Sequence, residues 1–273
     1  MASVRARVVS INGRRSSNAP DWLIPSRYWP NRRRFLVAAL KAADPSIIGT
    51  QEFTRTQAVD VETDLGINWT HWGGDGAGNG PVLWNTEKWI AVNHFEQIIP
   101  IDGERYMVAV QLESRPPKEL GRIWVVTLHL TVGSSSTAIK QRHAQIRAAI
   151  RVLQTRPDWE HSLICGDFNS DGYNNGPLGG VRTIAAELGF KDLRTRLRND
   201  QVKNYGYSSV NGWRLTPKTE RWVDDVLSPP AVIPYDAALS FTHFEVNGRL
   251  RFGSDHNIIR ASVEWPALEG SPA

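Results

Sequence analysis

The stretch ICGDFNS, residues 164–170, runs an apolar, strand-like segment into Asp167 and Asn169, a carboxylate and an amide two positions apart. In an extended chain residues i and i+2 lie on the same side, so the pair is expected to face a common target. Other apolar runs end in the same way. Asn12 follows VVSI, Glu52 closes SIIGTQE, and His129 stands in VVTLHL. Asp224 and Asp225 sit inside RWVDDV, and Asp255 and His256 precede NIIRASV. One such residue by itself usually caps a turn or meets solvent. As a set they carry more weight, because strands joined in one sheet bring their ends together and open sheets bind ligands there. Glu and Asp carboxylates with an Asn carbonyl are hard oxygen ligands suited to Mg²⁺, Mn²⁺ or Ca²⁺. An Asp paired with a His elsewhere can orient the imidazole for proton transfer or phosphate contact. A divalent metal, carboxylates and two histidines together suit hydrolysis of a phosphate ester.

The elements that must position these groups can be read from hydrophobic period. Strands are expected at 4–12, 45–53, 81–85, 106–114, 121–130, 162–169, 221–228 and 257–265. Helices are expected at 31–44, with Asn31 as N-cap, at 137–154, with Ile139, Ile146, Ile150 and Leu153 on one face, and at 179–190. The basic runs RRR (32–34) and KQRHAQIR (140–147) read as solvated helix faces. Hairpin-like neighbours alternate with helical crossovers, which suits a mixed α/β core. With no linker and no repeats, residues 1–273 are expected to form one domain with a short tail over about 266–273.

Composition narrows the function classes. Hydrophobic residues make up 41% and charged residues 22%, as in an ordinary globular protein, and no apolar run reaches the length of a membrane span. The start, MASVRARVVSING, lacks the apolar core of a signal peptide, so an intracellular location is expected. Cys165 is the only cysteine, which excludes an intrachain disulfide and a structural zinc site of the usual kind. Its place on a strand beside Asp167 reads as packing, not as a nucleophile. GGDGAGNG (73–80) lacks the Lys-Ser/Thr ending of a P-loop, and GSSS (133–136) lacks the setting of a nucleophile elbow. The net charge of +4, with a pI near 9.3, permits a phosphate-bearing partner without requiring one. The loops at 73–80 and 170–180, with Tyr173, are candidates to rim a site.

The segments QE (51–52), HL (129–130), GDFN (166–169), VDDV (223–226) and SDH (254–256) resemble the endonuclease/exonuclease/phosphatase superfamily, the deoxyribonuclease I-like fold, from Asn12 to His256. The resemblance implies a four-layered α/β sandwich, two packed mixed sheets flanked by helices. It also implies a phosphodiesterase or phosphatase dependent on Mg²⁺ or Mn²⁺, with Ca²⁺ as a further candidate. Under it Glu52 is the main metal ligand, with Asn12 beside it and Asp255 near the metal. Asp167 orients or activates the attacking water, supported by Asn169. Asp224 orients His256, which contacts the scissile phosphate. His129 is a candidate for phosphate contact or proton transfer. This sequence departs from the family pattern at Asp225, where an aromatic residue or Arg is common. It also lacks a Glu in GAGNGPVLW to partner His129, leaving Asn79, Asp75 or no partner. The leading expectation is a monomeric nuclease or phosphodiesterase acting on a nucleic-acid backbone. Its rivals are a phosphatase or phospholipase on a small or lipid phosphoester, and a binding module of the same fold without catalysis.

Overall fold

The structure is a computed structural model and describes residues 2–15, 27–74, 79–99, 105–116, 120–170, 180–198, 201–203, 223–240, 242–246 and 249–268. In chain order its elements begin with β1 (Ser3–Asn12), α1 (Trp29–Ala43), β2 (Ile47–Gln51), α2 (Arg55–Leu65), β3 (Trp69–Trp72) and β4 (Asn79–Asn85). There follow β5 (Trp89–Ile99), β6 (Arg105–Ser114), β7 (Arg122–His129), α3 (Ser136–Gln154), β8 (Ser162–Asp167) and α4 (Val181–Glu187). The chain continues through β9 (Lys191–Asp192), β10 (Val202–Lys203), β11 (Asp224–Ser228), β12 (Ile233–Ser240), β13 (His243–Val246), β14 (Arg249–Phe252) and β15 (Ile258–Pro266).

Two mixed sheets pack face to face, ordered β10-β12-β15-β1-β2-β4-β3 and β5-β6-β7-β8-β11-β9, with β13 and β14 as a separate hairpin. Strand alternation builds the layers. Along β8, Leu163 and Cys165 point between the sheets, where Val4, Ala6 and Val8 of β1 meet Val108, Val110 and Val125. Ile164 points the other way, into a layer with Ile146, Ile150 and Leu153 of α3 and Ile184 of α4. On the far side Val9 and Ile11 of β1 pack with Leu36 and Leu40 of α1 and Val61 of α2. This is the four-layered sandwich expected from the sequence. The sheets approach closely at Gly49, where an added Cβ would stand 2.5 Å from the Cys165 Cβ. Cys165 is fully buried there, and burial pushes its thiol pKa up to about 12.

The helices depart from the sequence reading in instructive ways. α1 starts at Trp29 with Tyr28 as N-cap and a Pro in its first turn, so Asn31 lies inside the helix and is not its cap. Proline at the first helical positions loses no bond and arrives with a helical φ, which outweighs the missing side-chain cap. α2 was not expected, although its signal is present. The Thr54 hydroxyl accepts from the Gln57 N–H and the Gln57 side chain accepts from the Thr54 N–H, a complete capping box. The two basic runs are not simply solvated. Arg32 is fully buried, and Arg142 is nearly so, donating to the carbonyls of Thr131 and Gly133 at 3.0 and 2.6 Å. A planar guanidinium with five donors can satisfy several loop carbonyls at once, and helical period does not reveal that use. Among the described residues no helix is long and apolar enough to cross a membrane.

Candidate active site

Strand direction explains why residues far apart in sequence meet. β1 and β2 are parallel and end together, with Asn12 opposite Gln51. β7 and β8 are parallel and end together, with His129 opposite Asp167. β11 and β15 run antiparallel to their neighbours, so each begins where those strands end, with Asp224 opposite Asp167 and Ile259 opposite Ser10. One edge of the sandwich therefore collects Asn12, Glu52, His129, Asp167, Asp224 and the Ser254–Asp255–His256 segment.

At that edge the backbone leaves the strands sharply. Arg14, Glu52 and Asn169, just past β1, β2 and β8, have φ of 52°, 55° and 47°. Left-handed geometry at a non-glycine residue costs on the order of 1–3 kcal/mol and persists only where the surroundings enforce it. Arg32 is part of that enforcement. Its guanidinium donates to the carbonyls of Gly13 at 2.6 Å and Gly253 at 3.0 Å, and also to that of Arg14. The loop that follows Asn12 is thereby tied to the loop that precedes His256. The Ser254 hydroxyl adds a 2.6 Å bond to the Asn12 carbonyl.

Asn12 is fully buried and holds two acids together. Its Nδ2 donates to Glu52 Oε1 and to Asp167 Oδ2, both at 2.9 Å, while its Oδ1 accepts from the Arg14 N–H at 2.9 Å. Asp167 is buried, and its other oxygen accepts from the Asn169 N–H at 3.0 Å. Two imidazoles close on the same carboxylate oxygen. His129 Nε2 lies 3.7 Å from Asp167 Oδ2 and 3.9 Å from Glu52 Oε1, and His256 Nε2 lies 3.9 Å from Asp167 Oδ2.

The two histidines have opposite electrostatics. His256 Nδ1 stands 2.8 Å from Asp224 Oδ2. Burial opposes charge on this ring, but Asp224, by charge and hydrogen bond, with Asp255 and Asp167 behind it, outweighs burial and raises the pKa well above 6.5. The charged form of His256 is thereby favoured. His129 goes the other way. Burial lowers its pKa, Arg105 and His256 act in the same direction, and Asp167 and Glu52 do not compensate. His129 Nδ1 faces the Arg105 guanidinium at 3.5 Å.

The expected residues thus fall into places of different kinds. Glu52, His129 and Asp167 form one group, and Asp167, Asp224 and His256 another, with the facing atoms of each group within 4.8 Å of one another. Asp255 lies beside them, in a 2.6 Å ion pair with Arg14. Asn169 does not share a target with Asp167 by alternation. β8 stops at Asp167, and the Asn169 amide instead donates to the Leu130 carbonyl at 3.0 Å, joining the loops after β7 and β8. Alternation does separate the two adjacent acids of β11. Asp224 meets His256, while Asp225 turns to the fully buried Arg182 of α4 at 2.8 Å. Burial raises the Asp225 pKa to about 6, against the opposing pull of Arg182. Arg182 also donates to the carbonyls of Ser170 and Asp224, at 3.2 and 3.4 Å. Arg14, Arg32, Arg105 and Arg182 carry no motif in the sequence, and only their contacts reveal them. Asp75, Tyr173 and the side chain of Asn79 lie outside the described residues.

Residues 11–256 match the Endonuclease/Exonuclease/phosphatase family. The chain belongs to that family. Among solved structures, an endonuclease/exonuclease/phosphatase family protein from Bacteroides thetaiotaomicron aligns with a TM-score of 0.78 at 16% identity, covering 97% of this chain and 100% of the other. A mannosyl-6-phosphatase from the same organism aligns at 0.78 and 15%, covering 94% and 99%. D. rerio TDP2 complexed with a single-strand DNA product aligns at 0.68 and 16%, covering 95% and 98%. No curated protein matches the sequence. Members of the endonuclease/exonuclease/phosphatase family are phosphoester hydrolases, generally dependent on a divalent metal. The donor set fits such an ion. Glu52 and Asp167 turn oxygens to one amide N–H₂ at 2.9 Å each, a crowding of acids that a hard cation would offset.

Proposed function

We propose that this protein is a divalent-metal-dependent phosphodiesterase that cleaves a nucleic-acid backbone by in-line attack of water. The observation that carries the reading is Asp167. Its Oδ1 is held by the Asn169 N–H, its Oδ2 by Asn12, and both histidine Nε2 atoms close on Oδ2. A carboxylate fixed on both oxygens is suited to accept a proton from water and aim its lone pair at phosphorus. His256, held by Asp224, which favours its charged form, is suited to stabilise negative charge developing on the phosphoryl oxygens. Glu52 would be the main metal ligand, with Asp255 and Asn12 about it. Asn12 would have to turn its amide to offer oxygen, because its nitrogen faces the acids. When bound, Mg²⁺ or Mn²⁺ supplies Lewis-acid stabilisation of the phosphoryl charge.

The net charge of +4 favours a polyanionic substrate. A second reading, hydrolysis of a phosphomonoester, is favoured by Arg105. This half-buried cation makes no ion pair among the described residues and stands beside His129. Plasmid DNA, RNA, bis-p-nitrophenyl phosphate and p-nitrophenyl phosphate, each with Mg²⁺, Mn²⁺ or EDTA, separate these readings. Cleavage of the nucleic acids and the diester, abolished by EDTA and by Asp167→Ala with folding intact, is the expected result. Activity surviving EDTA would overturn the metal dependence, and cleavage of the monoester alone would replace the nuclease by a phosphatase.

A further inference from the structure

Among the described residues, the one opposite His129 Nδ1 is of an unexpected charge. A histidine that ligates a metal almost always donates its second ring N–H to a carboxylate, a carbonyl or water. A histidine that works as a general acid is held by an acid in the same way. Here Nδ1 faces the guanidinium of Arg105, 3.5 Å away at the start of β6. Antiparallel pairing of β6 with β7 puts that start beside the end of β7, where His129 stands. An arginine offers only N–H donors and keeps its charge in a protein. Facing that guanidinium, Nδ1 is placed to present its lone pair, which would put the ring proton on Nε2. That N–H points toward Asp167 Oδ2 and Glu52 Oε1, at 3.7 and 3.9 Å, where the scissile phosphate would lie.

Two consequences follow from chemistry alone. A nitrogen that carries the proton has no lone pair for a metal, so the three-residue group of Glu52, His129 and Asp167 reduces to its carboxylates as a cation site. Arg105 also lies in the field of Glu52 and Asp167 without forming an ion pair among the described residues. A half-buried guanidinium in that position is suited to an anion that arrives with the substrate.

We propose that Arg105 is a positioning residue that holds His129 as a neutral Nε2–H donor, and that the two together clasp a non-bridging oxygen of the substrate phosphate. This rests on the reading of the site as a phosphoester hydrolase, and it names the residues that hold the phosphate within it. It assigns His129 to phosphate binding and removes it from the roles of metal ligand and proton donor.

The test does not depend on turnover. In ¹⁵N-histidine-labelled protein, the His129 ring should show a protonated Nε2 and an unprotonated Nδ1, and Arg105→Met should abolish that single-tautomer signature. Inorganic phosphate should bind Arg105→Met and His129→Ala weaker by on the order of tenfold to a hundredfold, the effect of losing a charge-assisted donor. Arg105→Lys, which keeps the charge, should recover part of that affinity. Mn²⁺ binding by calorimetry should change little in His129→Ala and fall sharply in Glu52→Gln. A proton found on Nδ1, or a loss of Mn²⁺ affinity in His129→Ala equal to that in Glu52→Gln, would overturn the proposal. If the tautomer and phosphate results hold while no phosphoester is cleaved, the hydrolase reading fails and the phosphate clasp stands.

Discussion

Asp224→Asn isolates charge from shape at the His256 pair. The substituted amide can still accept the Nδ1–H bond that now spans 2.8 Å, but it no longer carries the charge that holds His256 protonated. Hydrogen bonds to charged groups contribute about 1.5–3 kcal/mol and neutral ones about 0.5–1.5 kcal/mol, so the change removes roughly 1–1.5 kcal/mol. Each 1.4 kcal/mol is about tenfold in rate, so Asp224→Asn should lower turnover about tenfold and Asp224→Ala about a hundredfold. The pH dependence has a definite sign. In the wild type the folded pKa of His256 lies well above 6.5, so the pair's contribution to stability is complete below 6.5 and is lost as pH rises through the folded value. In Asp224→Asn burial has less to oppose it, the folded pKa drops, and the variant is penalised most below 6.5. Urea unfolding of both proteins at pH 6 and pH 9 should therefore show the larger gap at pH 6. Histidine ring titration by NMR should show the pKa of His256 falling. An unchanged His256 titration, or a loss of rate under about threefold, would refute the charged-imidazole reasoning.

Further outcomes are expected elsewhere. Arg182→Met leaves the Asp225 carboxylate buried without its cation, a change that costs about 3–5 kcal/mol where it has been measured for buried pairs. Because Arg182 is the larger of the charges that hold the Asp225 pKa down, ahead of Arg194, the variant's folded value should rise above about 6 while the unfolded value stays near 3.9. The folded variant then binds the extra proton between those values, so it should be more stable at pH 5 than at pH 7 by urea titration, and equal stability would contradict the assignment. Cys165 should resist a thiol reagent such as dithionitrobenzoate at pH 8 in the native protein and react stoichiometrically in guanidinium, since burial keeps the thiol protonated. Rapid native labelling would mean that the sheets part at Gly49 far more readily than their packing implies.

The sequence by itself was enough for the ends of the main strands and for the acids, amides and histidines that stand there. Apolar runs closing on Asn12, Glu52, His129 and Asp167 are local signals, and the fold follows from them because a strand buried on both faces has to be apolar until it leaves the sheet. That only one of Asp224 and Asp225 enters the site also follows from local geometry, since adjacent strand residues point to opposite faces; the contact with His256 in the folded molecule picks out Asp224. Other features were decided only by tertiary contact. Asn169 looked like a second group aimed with Asp167, but a left-handed turn after β8 swings it onto the Leu130 carbonyl. Arg32, Arg142 and Arg182 looked like solvated or ordinary helix residues, yet each buries its guanidinium against loop carbonyls. Among the described residues, the group facing His129 Nδ1 is Arg105, which lies on a neighbouring antiparallel strand. An arginine's role depends on which carbonyls and rings its long side chain reaches, and those come from segments far away in the chain. Periodicity reports which way a residue faces. What it meets there depends on the crossing of both sheets, and that exists only in the folded molecule.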